Sequence, residues 1–264
     1  MPAYLSLLLA LAYLLLGAGY ARRLRAPAGG RRPLRLAALA LALAHLGLLA
    51  AVIPEGAALT LGFGNAVSLL AAVVMLLFAG VSALRGVDNL GVVLAPLAGL
   101  SVLLMLLPDH STPLPVGDAA PLVVHVALSL AAYALLALAA LQALVMAYQD
   151  LRLRRHAPGG VLRALPPLGD MERLLFQLLA LGFAALTLAL MSGVLFLGDI
   201  FAPHLVEKTA LSIGAWLVIG TLLIGRRYAG WRGQTAVNWT LAGFGLLALG
   251  YLGSKFVLEF VLTG

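Results

Sequence analysis

The chain is written as long apolar runs separated by short clusters of charge, Pro and Gly. The hydrocarbon core of a bilayer is about 30 Å thick and needs roughly 20 apolar residues at 1.5 Å rise. Cutting the chain at its polar interruptions predicts eight membrane-spanning helices, at about 3–21, 35–53, 63–84, 90–107, 121–148, 174–197, 209–225 and 237–261. The first run has no Lys or Arg before it, is longer than the roughly 7–15 apolar residues of a signal peptide and runs straight into arginines, so it is expected to be retained. The loops are short, which predicts one membrane domain over 1–264 with no soluble insertion. Span 5 is expected to project beyond the bilayer through Tyr148-Gln149-Asp150-Leu151-Arg152. The inner loop that follows, Gln149 to Arg173, carries Pro158-Gly159-Gly160 and Pro166-Pro167 and is expected to hold a short interfacial helix.

Composition agrees. The 264 residues are 63% hydrophobic and 10% charged, with a mean hydropathy of +1.07. A soluble domain carries about 25% charged residues, and disordered chains are poor in apolar ones. Both classes are excluded, leaving an all-α, polytopic membrane bundle. The absence of cysteine removes disulfides, Cys-ligated metals and any thiol nucleophile.

Charge then orients the spans. Of the 17 basic residues, 15 fall on one side: Arg22, Arg23, Arg25, Arg31, Arg32 and Arg35; Arg85; Arg152, Arg154, Arg155, Arg163 and Arg173; Arg226, Arg227 and Arg232. Only Lys208 and Lys255 lie on the other. By the positive-inside rule the arginine-rich side is cytoplasmic and both termini are outside. The net charge of +7 is therefore topogenic, and no nucleic-acid partner is expected. Tyr228, Trp231 and Trp239 read as an aromatic belt at the inner interface.

Ionisable groups inside hydrocarbon are costly and mark candidate chemistry. His45 sits near the middle of span 2 with apolar neighbours, and must find a partner: another side chain, a carbonyl, water or a metal. A hydrogen-bonded packing histidine and a metal or haem ligand both satisfy that need. His125 lies about one turn inside span 5, with Ser129 and Tyr133 following at intervals of four on one helical face. Such a stripe suits a cavity wall, or equally a network of bonds between helices. Imidazoles in a helix bundle can ligate haem iron without any cysteine. His110 and His204, in outer loops, are secondary ligand candidates, whereas His156 reads as a solvated loop residue. Asn65, Ser68 and Asn238 read as structural, and Lys255 is spaced to pair with Glu259. No HExxH, GxSxG, P-loop or GxGxxG pattern appears in its required context, so no catalytic site is recognisable. The spans lack carboxylates except at the outer end of span 8, which disfavours an ion-coupled carrier.

Three segments carry a resemblance. Val124-His125-Val126-Ala127-Leu128-Ser129 through Tyr133-Ala134, then Lys208-Thr209-Ala210-Leu211-Ser212 through Ala215-Trp216-Leu217, then Gly230-Trp231-Arg232-Gly233, resemble in order the CcsA-type cytochrome c assembly proteins, in particular a short branch of that family. Tyr251-Leu252-Gly253-Ser254-Lys255 adds to the match, which is strongest over 121–256. The resemblance implies haem as cofactor, held near the outer face of a bacterial plasma (inner) membrane. It further implies membrane lipid and a cytochrome c assembly subunit or apocytochrome as partners. On that basis His125 matches the outer-side haem histidine, His45 resembles an intramembrane histidine, and Trp216 matches an aromatic haem contact, with Ser129 and Tyr133 beside them. The chain departs from the family where the tryptophan-rich segment is reduced to Val206-Glu207-Lys208-Thr209. It also lacks histidines near Ile224-Gly225 and after Ser254-Lys255. The leading expectation is a haem-binding, haem-presenting membrane protein. The alternative is a non-enzymatic interaction or regulatory subunit that kept the scaffold, and a channel or carrier is the third reading.

Overall fold

The computed structural model describes residues 3–25, 30, 32–52, 62–85, 87–107, 119–155, 165–196 and 206–253. All regular structure among them is helical: α1 (Ala3–Arg25), α2 (Arg32–Val52), α3 (Phe63–Arg85), α4 (Gly91–Leu104), α5 (Ala119–Arg154), α6 (Leu168–Phe196), α7 (Val206–Tyr228) and α8 (Gln234–Ala248). A 3-10 turn, Asp88–Leu90, leads into α4, and a π turn, Leu249–Gly253, continues α8. Among the described residues six helices, α1, α2, α3, α5, α6 and α7, are long and apolar enough to cross a membrane. The 14 residues of α4 rise only about 21 Å, and α8 has 15 residues before its π turn. Among the described residues the eight apolar runs thus become eight helices, and α4 is shorter than its run suggested. Others are longer. Arg22, Arg23 and Arg25 continue α1, because arginine is a good helix former whose stem can lie along apolar surface while its head reaches water. The 36 residues of α5 extend about 54 Å, well beyond a hydrocarbon core. The expected interfacial helix, His110, His156, His204 and the Lys255–Glu259 pair lie outside the described residues.

The chain divides into two compact units. In the first, α1 packs along α4 through a seam of small residues, Gly91, Ala95 and Gly99, spaced every four positions. The Tyr20 ring lies on Gly91, the Ala10 carbonyl lies against Gly99, and Gly17 leaves room for the Pro96 ring, 2.8 Å from where a Cβ would stand. Tyr13, Tyr20, Met75, Phe78 and Leu90 fill the core. At the arginine-rich end, Arg35 forks onto Asp88, with Nε and Nη2 donating to the two carboxylate oxygens at 2.9 and 3.0 Å. Ser82 donates to the same carboxylate at 2.7 Å, and Tyr20 donates to the Leu34 carbonyl at 3.2 Å.

In the second unit α5 and α6 form the long pair, with Leu136 seated at Gly182. Gln142 and Gln149 donate to the Met171 and Pro166 carbonyls, fastening the start of α6 to α5. Gly243 on α8 receives Ile219 of α7. At the arginine-rich end Arg226 binds Glu172 and lies over the Phe176 ring, 4.5 Å from its centroid. Glu172 also accepts the Gly233 N–H at 3.4 Å. Gly230 and Gly233, at φ 65° and 58°, turn the chain in a conformation that other residues rarely adopt. Between them Trp231 folds its ring onto Gly225 and pairs with Trp239 at 5.1 Å. The belt residue Trp231 is therefore also the plug of this loop.

Candidate functional site

The α5 stripe begins with His125, which is half-buried and turned toward α6. Its Nδ1 lies 3.0 Å from the Ser192 Oγ, and that hydroxyl lies 2.8 Å from the Ala189 carbonyl of its own helix. Among the described residues no hydrogen bond engages His125 Nε2. Ser129, half-buried, follows one turn later on the same helix. Tyr133, a further turn on, meets a different neighbour: its hydroxyl donates to the Leu247 carbonyl of α8 at 2.9 Å. Leu247 lies two residues before the π turn begins, and that turn carries Tyr251, whose ring lies 5.5 Å from Tyr133. A π turn adds a residue to the helical circuit and so re-aims the side chains after it.

Trp216 approaches from α7. It stacks on Phe183 at 5.4 Å and 21°, and its Nε1–H donates to Thr187 Oγ1 at 2.9 Å. Thr187 precedes Ser192 by five residues, about 7.5 Å along α6. His125 and Trp216 are thus both held by α6, at different depths. Lys208 is in the first turn of α7, which begins three residues before the expected start of that span.

His45 belongs to the first unit, where it is fully buried. Both ring nitrogens are engaged: Nε2 lies 2.7 Å from the Ser68 hydroxyl and Nδ1 lies 3.3 Å from the Tyr13 hydroxyl. The Tyr13 and His45 rings meet edge to face at 5.7 Å. One imidazole thereby joins α1, α2 and α3. Among the described residues there is no group of three or more His, Cys, Asp or Glu able to hold a metal ion.

Several residues of these arrangements escaped the sequence reading: Tyr13, Thr187, Ser192 and, at the arginine-rich end, Asp88. Each hydroxyl sits in an apolar run where Ser, Thr and Tyr are common, and nothing local separates a bonded one from a bystander. Asp88 carried a signal, as a carboxylate between two apolar runs.

The chain matches the family described as "Cytochrome C assembly protein" over residues 34–262. It is 34% identical to the inner membrane protein YpjD of Escherichia coli (strain K12) over 241 residues, covering 88% of this chain and 89% of that protein. It is 32% identical over 210 residues, 76% of each chain, to an uncharacterized 28.8 kDa protein from a nifR3-like 5' region of Azospirillum brasilense. No solved structure matches it.

Proposed function

The chain belongs to the cytochrome c assembly protein family, and from that premise we propose that it is a multi-pass bacterial inner-membrane protein that binds haem through His125 and presents it for cytochrome c assembly. The observation that carries this reading is the Nε2 of His125, which no hydrogen bond engages among the described residues, on a ring whose other nitrogen is anchored to Ser192. A neutral imidazole so anchored is the donor that haem iron takes as an axial ligand. Bound haem would supply an apolar macrocycle with a redox-active iron, and such a group suits a site of aliphatic and aromatic walls with few polar atoms. Ser129 and Tyr133 share the helix of His125, and the stacked Trp216 and Phe183 offer an aromatic surface.

His45 fits such a group less well. To ligate iron it would have to surrender its bond to Ser68 or Tyr13. We assign it to holding the first unit together. The absence of cysteine means that thioether chemistry on an apocytochrome would use the client's own thiols. The arginine distribution supports eight crossings in one membrane domain, with both termini outside.

A second reading, an interaction or regulatory subunit without haem, is favoured by the full commitment of His45. Purification of the whole protein, titration with ferric protoporphyrin IX and an absorption spectrum separate the two. The haem reading expects a Soret band that is lost in His125→Ala. Absence of a band, or one unchanged in that variant, overturns it.

A further inference from the structure

We infer that Ser192 is the positioning residue of the His125 site: its hydroxyl proton is spent on the Ala189 carbonyl, so its oxygen accepts from His125 Nδ1–H and holds the imidazole as the tautomer with a bare Nε2. The inference rests on the haem reading for the ligand it serves, but the tautomer is a property of the chain without haem.

The atoms allow one economical arrangement. A serine hydroxyl has a single proton, and a carbonyl can only accept. Ser192 Oγ lies 2.8 Å from the Ala189 oxygen and 3.0 Å from His125 Nδ1. With the proton directed to Ala189, both contacts are hydrogen bonds and Nδ1 carries the ring proton. Were Ser192 to donate to Nδ1, one of the two bonds would vanish, and the Ser192 side chain is buried where water does not replace it. Ala189 and Ser192 stand on α6 and His125 on α5, so the pair bridges the most extensively packed helices of the unit. The backbone of both elements is therefore fixed, and the ring is aimed as well as protonated.

Losing an outer partner of this kind costs about 10–100-fold in metal affinity. The test uses the full chain in lipid nanodiscs, with histidine labelled at both ring nitrogens. In the haem-free protein, nitrogen NMR should place the His125 proton on Nδ1 in wild type and in Ser192→Thr, and distribute it over both nitrogens in Ser192→Ala. Titration with ferric protoporphyrin IX, read at the Soret band, should show binding weakened about 10–100-fold in Ser192→Ala and restored in Ser192→Thr. A wild-type ring protonated on Nε2, or a Ser192→Ala protein with wild-type tautomer and affinity, overturns the role of Ser192. A wild type with no Soret band overturns the haem reading and with it the ligand Ser192 serves, while the NMR arm still decides the tautomer.

Discussion

Replacing His45 by alanine separates a structural imidazole from a ligand. The substitution removes a short bond to Ser68 at 2.7 Å and a long one to Tyr13 at 3.3 Å. Side-chain hydrogen bonds between helices in a membrane average about 0.6 kcal/mol and reach about 1.7. The Ser68 bond belongs near the upper figure and the Tyr13 bond near the lower, roughly 2 kcal/mol together. The edge-to-face contact with Tyr13 adds about 0.5–1 kcal/mol. The imidazole is fully enclosed, so its loss leaves a void worth about 1 kcal/mol. His45→Ala should therefore cost about 3–4 kcal/mol, a large share of a typical stability of about 5–15 kcal/mol.

The assay is unfolding in mixed micelles against increasing SDS, followed by helicity, with the haem spectrum taken on the folded fraction of the same sample. The expected outcome is a clearly lower unfolding midpoint with a Soret band per folded molecule equal to wild type. His45→Gln, which keeps one donor and one acceptor, should recover about half of the loss. An unchanged midpoint would refute the packing argument. So would a fully folded His45→Ala protein that had lost its Soret band, because His45 would then be a ligand.

Two further substitutions probe the arginine-rich ends. Asp88→Ala strands Arg35 and the buried Ser82. It should cost about 2–3 kcal/mol in the same titration, less than the 3–5 kcal/mol of a fully buried pair because Arg35 retains some access to water. The double variant Arg35→Ala/Asp88→Ala should cost less than the two single changes added, and strict additivity would show that the pair is not coupled. Gly225→Ala would place a Cβ in the Trp231 ring, so the ring must leave and the Trp231–Trp239 pair must part. A shift in tryptophan fluorescence and a loss of about 1–3 kcal/mol are expected, and an unchanged spectrum would contradict the plugged loop.

The helices were legible because a bilayer imposes a length, and every apolar run that met it appears as a helix. Their ends were not, since the solvent boundary does not stop a helix: Asp170, Glu172 and Arg173 are drawn into α6 ahead of the expected start at 174. Depth also identified His45 as a buried imidazole. Its partners could not be read, because Tyr13 and Ser68 lie 32 and 23 residues away on other helices. Spacing along one helix reports which residues share its face, not which residues another helix brings to meet them. Asp88 shows the same limit at a loop: its place between two apolar runs does not tell that it collects Arg35 and Ser82.

The His125 stripe shows where the periodic reading is sound and where it drifts. Each step of four residues turns an α-helix by about 400°, so successive members are displaced by about 40° and the first and third by about 80°. That displacement carries the face from one neighbour to the next: His125 reaches Ser192 on α6, whereas Tyr133 reaches Leu247 on α8. A stripe that looks like one polar surface in the sequence is a spiral across two helix–helix seams. Ser129, the middle member, lies between the two orientations. The chemistry at its two ends consequently differs. Tyr133 spends its proton on the α8 backbone just before the π turn, while His125 is anchored by Ser192 through Nδ1 and, among the described residues, makes no hydrogen bond through Nε2.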